Sequence, residues 1–282
     1  MLKQRVITAI VLLAILLPAL FYRTPMPFGV VALVLMAAGA WEWGRLNALG
    51  QGSSMGLAAL CVLVCGLSWY GGLLDKPLPL LWAAAGAAWV LAGAWLLRNG
   101  VTGWPRIPKA VRLVGGLLAL WLAWLAVAQA RVIGVNFLLS VLLLVWVADI
   151  FAYFAGRTFG GKFSRGKLAP SISPGKSWEG VWGGMAGVVA LSLAWVTLGA
   201  SGAGAGQTLY ARLMERHGIV VMLLAVVFLA AMSVVGDLVE SLIKRSAGVK
   251  DSSALLPGHG GVLDRVDALL PTLPLAMMLA TL

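Results

Sequence analysis

Charge is what this sequence lacks most. Only 11% of its 282 residues are Asp, Glu, Lys or Arg, while 61% are hydrophobic and the mean hydropathy is +0.96. A water-soluble domain carries about 25% charged residues, so this composition excludes a protein whose main solvent is water. Cysteine is nearly absent as well. The two present, Cys61 and Cys65, lie one helical turn apart in an apolar run, which excludes a disulfide framework or zinc spacing and reads as two small buried hydrophobes. There is no G-x-x-x-x-G-K-[ST] phosphate loop and no inverted internal repeat of the transporter kind. The net charge of +11 sits in short connections between apolar runs and forms no basic amphipathic face, which excludes nucleic acid as a partner.

What is present is a succession of apolar runs, each near the 20 residues or so that cross a bilayer. They fall near 5–22, 28–49, 55–74, 78–97, 111–130, 134–156, 178–200, 218–240 and 264–282. The expected fold is all-α: a polytopic integral membrane protein of about nine transmembrane helices with short loops. One membrane domain is expected over 1–282, with 1–130 supplying hydrophobic amino-terminal spans and 131–282 the spans and cytoplasmic loops that carry chemistry. The first run has the basic start of a signal peptide without a small-x-small cleavage site, and reads as a retained helix. With the amino terminus in the cytoplasm, sixteen of the 21 Lys and Arg lie on that side. Arg23, Lys76, Arg131, Arg212 and Arg216 lie on the other. Short loops of this kind point to a bacterial inner membrane. The thirteen tryptophans, and Glu42 between Trp41 and Trp43, read as an interfacial belt, and Gly199 to Gly206 as an outer loop.

Up to about Ala130 the spans are nearly featureless. Beyond it, acidic residues gather at their cytoplasmic ends, and charge at membrane depth marks function. Asp237, Glu240, Ser241 and Lys244 fall at i, i+3, i+4 and i+7 on one helix face, which also allows a plain Glu240–Lys244 ion pair on a wetted helix end. Lys250, Asp251 and Ser253 follow, then a Gly-rich loop around His259, then Asp264, Arg265 and Asp267. Carboxylates such as Asp237, Asp264 and Asp267 suit a Mg²⁺ ion that bridges nucleotide phosphates, and Lys244, Arg245, Lys250 and Arg265 suit the phosphates themselves. Upstream, Asp149 and Tyr153 are one turn apart. Ser173-Pro174-Gly175-Lys176-Ser177, just ahead of a helix that begins with Trp178 and Glu179, resembles a phosphate-binding turn.

These residues carry a family resemblance. Ser241-x-Ile243-Lys244-Arg245, Lys250-Asp251-x-Ser253 and Leu256-Pro257-x-His259-Gly260-Gly261-Val262-x-Asp264-Arg265-Val266-Asp267, spread over 27 residues, resemble the signature of phosphatidate cytidylyltransferases (CDP-diacylglycerol synthases). The run from Asp149 to Gly180 is similar to that family too, with Ser177 where it often has Thr. The resemblance implies a nucleotidyltransferase that converts CTP and phosphatidate into CDP-diacylglycerol and pyrophosphate, with Mg²⁺ and room for a monovalent cation such as K⁺. It places metal ligands at Asp237 and Asp264 and implies a homodimer with a polar cavity open to cytoplasm and lipid. Within that reading, Asp237, Asp264, Lys244 and Lys250 are catalytic, and Asp237, Asp264 and Asp267 hold the metal. Asp149, Ser173, Lys176, Ser241, Arg245, Asp251, His259 and Arg265 bind substrate. An ion-coupled transporter using Asp149, Asp237 and Asp264 is disfavoured because the acids cluster at one membrane face. A CDP-alcohol phosphotransferase is disfavoured because its D-G-x-x-A-R motif is missing.

Overall fold

A computed structural model describes residues 2–164, 166–199 and 208–281. Arg165 and the outer-loop stretch 200–206 lie outside the described residues. In lipid every backbone N–H and C=O must find a partner within the chain, and apolar runs of this length do so as helices. They form α1 (Leu2–Phe21), α2 (Met26–Leu46), α3 (Gln51–Tyr70), α4 (Pro79–Gly103), α5 (Lys109–Ile133), α6 (Val135–Phe159), α7 (Trp178–Gly199) and α8 (Leu209–Ser246). Each of these eight is long and apolar enough to cross a membrane. The single helical turn α9 (Leu263–Val266) and the helix α10 (Leu269–Thr281) follow. The all-α polytopic fold is as expected.

Three features differ in detail. The ninth run is a 13-residue helix, α10, rather than a full span, and residues from Pro271 to Met277 are buried. It packs against α4, α5, α6 and α8, so it forms the centre of the bundle. The eighth run starts earlier than hydropathy suggests. Thr208 caps α8 by accepting from the Ala211 N–H (3.1 Å), and a break at Gly218, with φ of 81°, separates a first segment from the long apolar one. The Ser173 to Ser177 segment is a strand and not a turn. β1 (Lys167–Ala169) and β2 (Ser173–Ser177) form a small antiparallel hairpin that runs straight into α7.

The tryptophans do not all form a belt. Trp82 and Trp124 are fully buried, their indole N–H groups donating to Gln129 Oε1 (3.2 Å) and the Gly29 carbonyl (3.1 Å). Cys61 and Cys65 are buried as expected. Arg131, expected as an outer-loop cation, is only 7% exposed. It donates to the carbonyls of Leu20 (2.8 Å) and Tyr22 (2.5 Å), closing off the end of α1.

In a bilayer, helices associate mainly through close packing, and small residues permit it. Gly180, Gly183, Gly184 and Gly187 place one edge of α7 directly on α6. A Cβ at Gly184 would lie 2.8 Å from the Ala148 carbonyl oxygen, and one at Gly183 2.2 Å from the Ala155 Cβ. Gly184→Val is therefore expected to force α6 and α7 apart at a cost of about 1–3 kcal/mol. A lower thermal unfolding midpoint in detergent checks this, and an unchanged midpoint refutes it.

Candidate active site

The carboxyl end of α8 carries a buried lysine between two acids. Lys244 is 9% exposed. Its ammonium group pairs with Glu240 one turn earlier and donates to Asp264 Oδ1 at 2.5 Å. The pair expected on a wetted helix end is thus a buried three-membered cluster. Asp264 Oδ2 accepts from the Ser252 N–H (2.9 Å), Ser252 Oγ (2.8 Å) and the Gly261 N–H (2.7 Å). Burial alone would raise this carboxyl, but the lysine and the backbone donors outweigh it and hold Asp264 below the ordinary carboxylate range. Asp264 organises the loop that joins α8 to α9.

A second acid–base pair faces a cavity of about 400 Å³ between α6, α7 and α8. Asp237, on α8, accepts from Lys176 of β2 at 2.5 Å and from Ser241 Oγ at 3.3 Å. Lys176 reaches in because the hairpin lays β2 against α8. Asp149, Tyr153 and Arg157 of α6 complete the polar lining, with Arg157 donating to the Tyr153 hydroxyl (3.0 Å). Behind Asp237 lies Asp267. Gly236 makes this possible, since a Cβ there would sit 2.4 Å from the Asp267 carbonyl oxygen and 2.8 Å from Pro271. Burial, then the charge of Asp237, push the Asp267 carboxyl up to about 7.

Among the described residues no three His, Cys, Asp or Glu side chains converge as a self-sufficient metal site. Asp237 and Asp267 are in electrostatic reach of one another, and Asp149 also feels Asp237. Asp264 instead spends its oxygens on Lys244, Ser252 and Gly261. The donor set fits Mg²⁺ nevertheless. That ion takes one or two carboxylates and completes its octahedron with water and substrate phosphate, and Asp237 and Asp149 both face the one cavity.

One residue of the site was misread from sequence. Glu42 of α2 is fully buried and not interfacial. Its Oε1 accepts from Ser253 Oγ (2.5 Å) and the Val262 N–H (2.9 Å), and its Oε2 from Ser252 Oγ (3.2 Å) and the Leu263 N–H (2.8 Å). A Cβ at Gly261 would come within 2.3 Å of Glu42 Oε1, so only glycine admits the carboxylate. The same loop is tied to α1 by Arg5 Nε donating to the Gly258 carbonyl (3.0 Å) and Thr8 Oγ1 to that of Pro257 (2.9 Å). A single acid in an apolar span was the available signal, and its two tryptophan neighbours masked it.

The remaining candidates spread over the loop surface. Lys250, Asp251, Arg245 and Arg265 are exposed. Arg245 donates to the Ile172 carbonyl (3.4 Å) and Arg265 to that of His259 (2.6 Å). The His259 ring keeps a buried Nδ1 without a protein partner among the described residues. Ser173 pairs with Ala169 at the start of β2. Glu179, 4% exposed, accepts from the Phe163 (3.1 Å) and Ser164 (2.8 Å) N–H groups and holds the loop after α6.

Acids suited to a hard cation, lysines suited to phosphate and an apolar bundle around both define a membrane-embedded enzyme of phosphoryl or nucleotidyl transfer. The sequence of residues 3–282 matches the model of the Cytidylyltransferase family, and the chain belongs to that family; it is a nucleotidyltransferase. It is 40% identical to a phosphatidate cytidylyltransferase of Pseudomonas aeruginosa over 97% of this chain and 95% of that one. A phosphatidate cytidylyltransferase of Haemophilus influenzae is 38% identical over 97% of this chain and 96% of its own. One of Bacillus subtilis is 38% identical over 53% of this chain and 49% of its own.

Proposed function

We propose that this protein transfers CMP from CTP to phosphatidate, giving CDP-diacylglycerol and pyrophosphate. The observation that carries the reading is the meeting of Lys176 and Asp237, from separate elements, on the wall of one cavity at the signature end of the bundle. A lipid phosphate oxygen attacks the α-phosphorus of CTP. The new P–O bond forms as the bond to the bridging oxygen breaks, and pyrophosphate leaves with that electron pair. The attacking oxygen is already ionised at neutral pH, so catalysis rests on position and charge neutralisation.

Lys176 holds a phosphate of the nucleotide in the cavity, with Arg157 at its side. Lys244, fixed by Glu240 and Asp264, offers its positive charge to the other anion. Asp237, with Asp267 behind it and Asp149 across the cavity, would hold Mg²⁺, while Asp264 sets the loop between α8 and α9. When bound, the ion supplies charge neutralisation on the triphosphate. Asp251, Lys250, Arg245 and Arg265, exposed on the loop surface, together with His259, meet the substrates as they arrive from water, and the family resemblance adds a monovalent cation such as K⁺. The lysine and arginine bias supports placing this end in the cytoplasm of a bacterial inner membrane, and the family resemblance supports a homodimer.

The test is incorporation of label from α-³²P CTP into lipid by the purified protein in detergent. Label that requires both phosphatidate and Mg²⁺, and is lost on chelation with EDTA, is the expected result. No labelled lipid from folded protein supplied with both substrates would sink the reading.

A further inference from the structure

The cavity of Lys176 and Asp237 lies on one face of α8. A second cavity, about 380 Å³, lies on the other, walled by α2, α4, α5, α8 and α10. α4 and α5 both pack on α10 but scarcely on each other, which leaves a cleft between them. Trp95 and Leu118 line it and are 50% and 48% exposed, so it opens sideways toward hydrocarbon. Its inner wall is made by neighbours of the signature side chains: Gly236 precedes Asp237, Leu263 precedes Asp264, and Glu240 is ion-paired with Lys244.

The wall is apolar but not wholly so. Trp104 is 6% exposed, and its Nε1 donor and the buried Nε of Arg112 find no acceptor among the described residues. Both residues line the cleft. A pure hydrocarbon occupant leaves these donors unsatisfied, whereas an amphiphile with ester or phosphate oxygens at one end supplies acceptors. Resting on the CMP-transfer reading, we propose that the cleft takes an acyl chain of the lipid substrate. The chain enters from the membrane between α4 and α5, with its ester oxygens toward Trp104 and Arg112 and its phosphate beyond them at the signature cluster. Nucleotide and lipid then approach the signature cluster from opposite faces of α8. The chain passes from one hydrocarbon surrounding to another, so the cleft selects by shape and close contact and not by the hydrophobic effect.

Gly115 lines the cleft, and a Cβ added there meets nothing within 4 Å. Gly115→Phe and the milder Gly115→Leu fill the space from its wall. Leu91→Phe is the control, on α4 across the cleft from Gly115 of α5, but 71% exposed and outside the cleft lining. The measurement is kcat/KM at saturating CTP for dipalmitoyl and for dihexanoyl phosphatidate. The long-to-short ratio is expected to fall about tenfold in Gly115→Phe, because the ring takes space that a long chain would fill and a short one would not reach. It should fall less in Gly115→Leu and hold in Leu91→Phe. Ratios within about twofold of the parent in both Gly115 variants would overturn the assignment while leaving CMP transfer intact. A parent protein that labels neither lipid removes the CMP-transfer reading, and this inference with it.

Discussion

Asp237→Asn is expected to lower kcat/KM for CTP at least about a thousandfold, the scale on which removal of a preorganised transition-state charge is felt. The substitution keeps the shape and the bond from Ser241 Oγ but deletes the charge that faces Lys176 at 2.5 Å and Asp267 behind it. The Mg²⁺ concentration for half-maximal rate should rise together with the loss of rate. A purely structural part for Asp237 predicts a different pattern: reduced folded yield, with normal Mg²⁺ dependence in what remains. Size-exclusion profile and Mg²⁺ titration, run on the same preparation, separate the two. A variant with near-parental rate would remove Asp237 from the reaction.

Glu42→Gln should be nearly as damaging, although Glu42 lies outside the signature. Each carboxylate oxygen accepts one hydroxyl and one backbone N–H. Whichever way the amide is turned, its NH₂ group must face a backbone donor that cannot reverse. A buried donor left without an acceptor costs about 1–3 kcal/mol, enough to release the loop from Ser252 to Leu263 and with it the seat of Asp264. Activity is expected to fall about a hundredfold and the unfolding midpoint to drop. Glu42→Gln protein with parental activity and stability would show that the loop holds without the clamp.

These two residues mark what sequence does and does not reveal. Asp237 stood out as a candidate because it belongs to a local pattern: Glu240, Ser241 and Lys244 recur at helical spacing on one face, and Asp264 and Asp267 follow in a short run. The spans were legible because length and hydropathy alone determine them. Glu42 was not, because its four donors lie 210 to 221 positions away, and no periodicity within α2 encodes them. The pairing of Lys176 with Asp237 across 61 positions depends on a hairpin whose strands are too short for an alternating pattern to show. The central, buried place of α10 was hidden for a related reason. Hydropathy ranks a lipid-facing helix and a protein-facing one alike.

The Glu42 clamp also bears on how the molecule comes together. Contacts between segments so far apart along the chain close only after the intervening helices have been placed, because the entropy of that long loop must first be overcome. The loop from Ser252 to Leu263 therefore takes shape late, and on a surface that the second helix provides. A chain whose early helices are misplaced or missing loses the Glu42, Arg5 and Thr8 contacts that hold residues 252–263, whatever the state of its later ones. Turnover thus reports assembly of the whole bundle, and a half-built protein is silent rather than slow.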